Sequence, residues 1–382
     1  MHSTADFKQA ISNRLNRRDI MKYYFSIIDI YPYLLLFAII FKIINSRKTH
    51  NQLKKIFFVV LFFMGIRYGV GYDYFSYKEA IITSDQSFEP LAQMLCEFSR
   101  ETHYQLFFII SSLLVLYPVY KVSQKYSINP ILSFMVYMLI PMLFLDGMST
   151  VRNAVAYPMV LWAFMILLRE KRRYLAIIPL LIAIGFHRSS IIALAILPLA
   201  FFSFKRKYVV IAWIVSFMFA QGQIADALLE YLGVPFWGRA SWYLLKAEEN
   251  DAGRTLWLAV NAINIINFYY WKKLTALNNE NQKFLSVYTL GCILYNLTIS
   301  IEPTIALRLS NFCSIFLMLV VPYYIYVLPW REKTNRRLVY LFFIFYFSSL
   351  LFTVILGTPP DEKMSYFPYQ TIFYHTDYVN LQ

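Results

Sequence analysis

Apolar segments close to the length of a membrane span recur along the whole of this chain. A helix needs about 20 apolar residues to cross a bilayer, and a backbone inside lipid must satisfy its own hydrogen bonds. The twelve candidate windows are 24–44, 54–66, 104–120, 130–147, 153–168, 174–186, 190–204, 208–222, 254–271, 284–300, 305–328 and 338–356. The sequence therefore predicts an all-α, polytopic membrane helix bundle of about twelve transmembrane helices. Several windows are short, so tilted, re-entrant or merged segments would change that number by about two.

The basic residues of the chain are distributed by membrane side. The chain is 59% hydrophobic and only 15% charged, which lies outside the soluble range, and its net charge is +14. Such a charge would suit a nucleic-acid-binding protein. However, one set of alternate connections between the windows carries twenty lysines and arginines, and the opposite set carries ten. The positive-inside rule makes the first set cytoplasmic, so the basicity reflects topology and predicts no nucleic-acid partner.

The N-terminal segment does not follow this distribution. Residues 1–22 carry five basic side chains, although twelve spans would place this end outside. We therefore interpret residues 1–20 as an extension outside the fold, or Met21 as the natural start, with residues 21–382 forming one polytopic domain. The three cysteines have no metal-ligand spacing, so the sequence predicts no disulfide scaffold, metal site or cofactor.

The connections predicted outside hold most of the polar side chains that could carry chemistry. The long ones are the loops at about 67–103 and 223–253 and the tail at 357–382, and three short turns accompany them. Five arginines lie where a window meets this face: Arg67, Arg152, Arg188, Arg254 and Arg308. Anchoring at the lipid interface would explain any single one. Five together, near Asp73, His187 and Glu302, favour a functional site, because burying ionisable groups is costly without a partner or ligand.

The segment GIRYGVGYDYFSY (65–77) predicts a break in the helix at this face. Glycines at 65, 69 and 71 allow backbone angles closed to other residues, so we expect the chain to leave the helix just past Arg67. The turn would bring Arg67 and Asp73 close together at the membrane surface, either as part of a site or as an internal ion pair.

The segment SFEPLAQMLCEF (87–98), further along the same loop, has the pattern of an amphipathic helix at the interface. Its apolar face would consist of Phe88, Leu91, Leu95 and Phe98, with Pro90 near its start.

Two short turns and one long loop add candidate residues. In STVRN (149–153), Ser149 or Thr150 could cap the next helix, leaving Arg152 in its first turn. An arginine beside the positive end of a helix is unfavourable unless an anion lies there. In FHRSS (186–190), His187 and Arg188 lie between two short windows. The long loop offers Trp237 and Trp242 as flat faces for sugar rings beside Arg239, although interfacial aromatic belts have the same pattern.

The order of these motifs resembles the EpsG-like branch of bacterial polysaccharide polymerases, the Wzy-type O-antigen, capsule and exopolysaccharide polymerases. The matching segments are RYGVGYDYFSY (67–77), STVRNAVAYPM (149–159), the block from REKRRY to FHRSS (169–190) and ALRLSNF (306–312). The resemblance covers about residues 23–330. One departure is Tyr72, which stands where that family commonly has a small residue.

The resemblance implies a glycosyltransferase with an outward-facing cavity in the bacterial inner membrane, acting on the periplasmic face. It would transfer a glycan from undecaprenyl pyrophosphate onto a new lipid-linked repeat unit, in the synthesis of lipopolysaccharide or capsule. The implied partners are this lipid-linked oligosaccharide, membrane lipids and, as an open question, a chain-length regulator protein.

The residues themselves suggest how such a transfer could work without a metal ion. No DxD carboxylate pair is present, so arginines would have to stabilise the pyrophosphate leaving group. Arg67, Arg152 and Arg308 are the predicted clamp, assisted by Arg188 or Arg254. For the base that accepts the acceptor's proton, the order of preference is Asp73, His187 and Glu302.

Two alternatives remain open from the sequence. A flippase for lipid-linked oligosaccharides would need ionisable groups at mid-membrane depth, whereas these charges gather toward one face. An O-antigen ligase would share the arginines and differ in its acceptor.

Overall fold

The computed structural model describes residues 27–46, 51–83, 88–221, 251–299, 303–327, 348, 351–352, 355 and 366–375. These residues are predominantly helical, with one two-stranded sheet. The helices before residue 200 are α1 (Ile27–Ile44), α2 (Gln52–Gly65), α3 (Tyr74–Thr83), α4 (Pro90–Glu101), α5 (Gln105–Tyr126), α6 (Pro130–Leu139), α7 (Pro141–Phe144), α8 (Val151–Arg169), α9 (Ile177–Phe186) and α10 (Ala193–Ile196). Those that follow are α11 (Arg206–Gln221), α12 (Asp251–Leu277), α13 (Asn281–Thr298), α14 (Pro303–Ser314), α15 (Leu317–Val320) and α16 (Tyr324–Val327). The strands are β1 (Arg67–Tyr68) and β2 (Gln370–Thr371).

The helices follow the apolar windows of the sequence. Eleven of the twelve windows coincide with helices, and the window at 338–356 lies largely outside the described residues. Within the described ranges, three helical segments are long and apolar enough to cross a membrane alone: Gln105–Tyr126, Val151–Arg169 and Thr304–Val327. The last of them runs through α14, α15 and α16. The all-helical membrane class is confirmed, whereas the number of twelve spans and the outward cavity stay predictions.

The window at 130–147 forms a broken helix. Segments Pro130–Leu139 and Pro141–Met148 meet at an angle of 85° and would make a fourth span or a re-entrant loop. The break has a local cause, because a proline disfavours helical angles in the residue before it, and Ile140 has a ψ of 110°. The second arm ends in a 3₁₀ turn, Asp146–Met148, that leads directly into α8.

A second break lies between Arg173–Phe186 and Arg188–Ala200, two apolar helices too short to count as spans. Each is roughly 20 Å long at the usual rise per residue, against a hydrocarbon core of about 30 Å. His187 joins them in an extended conformation, with φ −156° and ψ 129°. The break therefore places His187 and Arg188 at the junction of the two helices.

Helix α4 packs onto the first of these two helices, so most of the apolar face that we expected to meet the membrane contacts the protein instead. A Cβ atom at Gly185 would lie 2.5 Å from Leu91 Cγ, so α4 and α9 are in close contact. Phe88, Leu91 and Leu95, predicted to face the membrane, pack against the core, and only Phe98 of that set is exposed. This packing brings the start of α4 to the break at His187.

Candidate functional site

The glycine-rich turn after α2 is fixed by contact with the turn before α8. Gly69 and Gly71 have positive φ values of 66° and 103°, as the sequence predicted, whereas Gly65 belongs to the helix. A Cβ at Gly71 would lie only 2.0 Å from the Met148 carbonyl oxygen. The backbone N–H of Tyr72 donates to Ser149 Oγ over 3.1 Å. The first motif and the STVRN segment therefore form one unit.

Arg67 lies inside the protein. Its side chain is fully buried, and Nη1 donates to the Met64 carbonyl oxygen and, over 3.3 Å, to Ser112 Oγ. The guanidinium lies 4.9 Å from the centre of the Phe108 ring. Burial lowers the pKa of Arg67 to about 10, so the group remains charged at neutral pH. Its Nε and Nη2 atoms are buried and have no hydrogen-bond partner among the described residues.

Asp73 does not pair with Arg67, contrary to the proximity we expected. Among the described residues, no ion pair joins the two side chains, and the charges that act on Asp73 belong to Arg308 and Arg152. Burial raises the pKa of the Asp73 carboxyl, and these two arginines oppose the rise. The glycine turn carries Arg67 inward and directs Asp73 toward the other arginines.

Arg152 lies in the first turn of α8, as predicted, but the expected cap is absent. Thr150 is the N-cap residue and makes no side-chain capping bond, and Ser149 instead accepts from Tyr72. Arg152 Nη1 forms an ion pair of 2.7 Å with Glu89 Oε2, and Arg152 Nε donates to Tyr77 Oη over 3.4 Å. The anion that we inferred at this helix start is therefore supplied by the protein itself.

Glu89 also contacts the break between α9 and α10. Its Oε1 atom lies 3.3 Å from His187 Nδ1 and accepts from the backbone N–H of Arg188 over 3.2 Å. The Phe88 ring lies 4.4 Å from the Arg152 guanidinium. Glu89, Arg152, His187 and Arg188 thus form one cluster, which we name the Glu89 centre.

The charge state of Glu89 follows from these contacts. Burial by itself acts to raise the pKa of its carboxyl, but the hydrogen bond from His187, the backbone N–H groups and the Arg152 charge outweigh it and hold the pKa at about 2. Glu89 is therefore ionised at neutral pH.

Sequence reasoning missed Glu89. The loop 67–103 contains six acidic residues, and nothing in their spacing distinguishes this one. The available signal was indirect: an arginine at a helix start required an anion, and a carboxylate of the preceding loop was the nearest source.

A second polar group surrounds Arg308 on α14. This side chain is half-buried, and in the part of the chain that the structure describes its buried Nε atom has no hydrogen-bond partner. Its charge acts on both Asp73 and Asp146. Asn311, one turn later, donates from Nδ2 to Asp146 Oδ2 over 2.7 Å. Asp146 was also missed, since it comes from the broken helix. The two groups are linked through Asp73, which interacts with arginines of both.

The remaining candidates cannot be placed in either group. Arg239, Trp237, Trp242 and Glu302 lie outside the described residues. Arg254 lies near the start of α12, whose first side chains are likewise outside. These five stay predictions from the sequence.

The C-terminal tail, predicted outside, returns to the first motif. Strand β2 pairs antiparallel with β1, so that Arg67 lies opposite Thr371, and the backbone N–H of Ile372 donates to the Ile66 carbonyl oxygen over 2.9 Å. Tyr369 stacks on Phe63 with ring centres 4.1 Å apart. The tail therefore encloses Arg67 from one side.

The chain was compared with protein families, curated proteins and solved structures. The model of the EpsG family matches residues 52–371. The match begins later than the resemblance we inferred from the motifs and extends further, so that it includes β2. No curated protein and no solved structure matches the chain. A match over most of its length, holding both the first motif and the strand that pairs with it, shows that the chain belongs to the EpsG family.

Proposed function

We propose that this membrane protein is a polymerase of lipid-linked polysaccharide repeat units. It would transfer a growing glycan from undecaprenyl pyrophosphate onto the non-reducing end of a new lipid-linked unit, at the periplasmic face of the inner membrane. Membership of the EpsG family fits a polymerase-like role in polysaccharide synthesis. The apolar helices support a membrane location, and the distribution of basic residues supports an outward-facing site.

The Glu89 centre is the observation that carries this proposal. It gathers a guanidinium, an imidazole and a carboxylate from three separate elements, on the face predicted to be outside. Glycosyl transfer from a pyrophosphate needs cations where negative charge develops and a group that accepts the proton of the acceptor hydroxyl. The centre supplies both within a few ångströms.

The arginines divide into two roles. Arg152, Arg188 and Arg308 would contact the pyrophosphate, because Arg188 is exposed and the other two are half-buried. Arg67 is fully buried, so its contribution would be to support the turn that carries Asp73. Asp73 and His187 are our candidates for the group that accepts the proton.

The first experiment is a glycan gel of a bacterial strain that lacks this gene, complemented with wild type or Arg152→Ala. We expect the ladder to collapse to a single repeat unit on deletion, to return with wild type, and not to return with the variant at equal expression. Absence of any repeat unit on the outer face would indicate a flippase. Polymer that accumulates on undecaprenyl pyrophosphate without transfer would indicate a ligase. A normal ladder with Arg152→Ala would contradict the assigned site.

A further inference from the structure

Glu89 joins groups from two other parts of the chain, Arg152 of α8 and the break at His187 and Arg188. One carboxylate oxygen binds Arg152 Nη1 at 2.7 Å, and the other lies 3.3 Å from His187 Nδ1 and 3.2 Å from the Arg188 nitrogen. The Glu89 side chain is only 8% exposed. Such a carboxylate fixes the distance between the arginine and the imidazole.

The contact to His187 determines which ring nitrogen is free. An ionised carboxylate only accepts hydrogen bonds, so His187 must donate from Nδ1. A neutral imidazole with its proton on Nδ1 carries its lone pair on Nε2. Within the part of the chain that the structure describes, Nε2 has no hydrogen-bond partner. It is therefore available to a substrate.

We propose that Glu89 is the positioning residue of this site: it holds His187 in the Nδ1–H form, with Nε2 directed at the acceptor hydroxyl, and holds Arg152 beside it. This inference rests on the proposed function. In the transfer step, the acceptor O–H bond breaks and its proton moves to His187 Nε2, while the acceptor oxygen bonds to the anomeric carbon. The bond from that carbon to the pyrophosphate oxygen breaks, and its electron pair leaves with the pyrophosphate.

A merely structural ion pair would behave differently. Losing it would destabilise the protein while leaving turnover per folded molecule unchanged. A positioning residue acts on the transition state, so its loss lowers kcat and leaves KM almost unaffected. The matched control is Glu97 on the same helix α4, an exposed carboxylate that accepts a hydrogen bond from Gln93.

The test uses the full-length protein in proteoliposomes, with lipid-linked repeat units extracted from the deletion strain as substrate. We expect Glu89→Gln to lower kcat about 100-fold, in keeping with the loss of an oriented general base. Glu89→Asp should recover part of this rate because it retains the charge, and Glu97→Gln should match wild type. If Glu89→Gln does not accumulate in the membrane, the Glu89→Asp variant is the test. A kcat of Glu89→Asp equal to that of wild type would overturn the inference.

A spectroscopic measurement separates this inference from the proposed function. In protein labelled with nitrogen-15 histidine, the His187 signal, assigned by its loss in His187→Gln, should show the Nδ1–H form in wild type and lose it in Glu89→Gln. If wild type forms polymer and Glu89→Gln keeps both its kcat and the Nδ1–H signal, the role of Glu89 is refuted and the proposed function stands. Wild type that forms no polymer would refute the proposed function instead.

Discussion

Arg152 and Arg169 lie near opposite ends of α8, and each is paired with a glutamate of another segment at 2.7 Å. At the rise of an α-helix they are roughly 25 Å apart. The Arg152 pair with Glu89 is half-buried and joined to His187, whereas Arg169 pairs with Glu280 on the side predicted to be cytoplasmic. The same helix therefore carries a candidate site residue and a matched control.

We expect Arg152→Lys to reduce polymer synthesis by at least 10-fold, and Arg169→Ala to leave it near wild type. Lysine keeps the charge but loses the planar fork that can contact Glu89, Tyr77 and a phosphate oxygen together. The measurement is ladder intensity at matched protein level in membranes. Equal loss in both variants would show that ion pairs on α8 support the fold in general rather than the site.

The pKa of Glu89 predicts how its contribution to stability depends on pH. Its folded pKa of about 2 lies below the ordinary value of 4.5. The stabilisation is therefore fully present above pH 4.5 and is lost as the pH falls through about 2, and it amounts to roughly 3 kcal/mol. Thermal unfolding in detergent measures this contribution. The gap in the free energy of unfolding between wild type and Glu89→Gln should narrow as the pH falls through this window. A gap that is constant down to pH 2 would contradict the buried pairing.

Gly71→Ala should destabilise the first motif severely. The new Cβ would lie 2.0 Å from the Met148 carbonyl oxygen at a residue whose φ is 103°, so both sterics and backbone strain oppose it. We expect a loss of at least about 2 kcal/mol in the free energy of unfolding. Gly65→Ala is the control, because Gly65 is helical and the nearest atom to its Cβ would be Ile109 Cγ1 at 3.3 Å, with the Ile109 Cα at an ordinary contact distance of 3.6 Å. Similar unfolding temperatures for the two variants would refute this packing.

The tail provides a fourth prediction. Tyr369 is buried against Phe63, so Tyr369→Ala should lower the free energy of unfolding by about 3 kcal/mol, because it leaves a cavity beside β1. It should also lower activity, because the cavity would disturb Arg67. Tyr374, in the same tail, is 77% exposed, and Tyr374→Ala should have little effect. Thermal unfolding and polymer synthesis test both variants. Wild-type behaviour of Tyr369→Ala would mean that the tail does not support the motif.

The sequence by itself determined the helical membrane class, the positive-φ glycines in the turn after α2 and the need for an anion beside Arg152, whereas the sidedness of the charges stays a prediction. These properties are local, because hydropathy, charge and backbone preference can be identified within a single segment. Only the tertiary structure decided that the anion is Glu89, that Arg67 is buried, and that β2 pairs with β1 across some three hundred residues. Each of these depends on which helices pack together. Glu89 reaches His187 because α4 lies on Gly185 of α9, a contact between distant segments that no local pattern specifies.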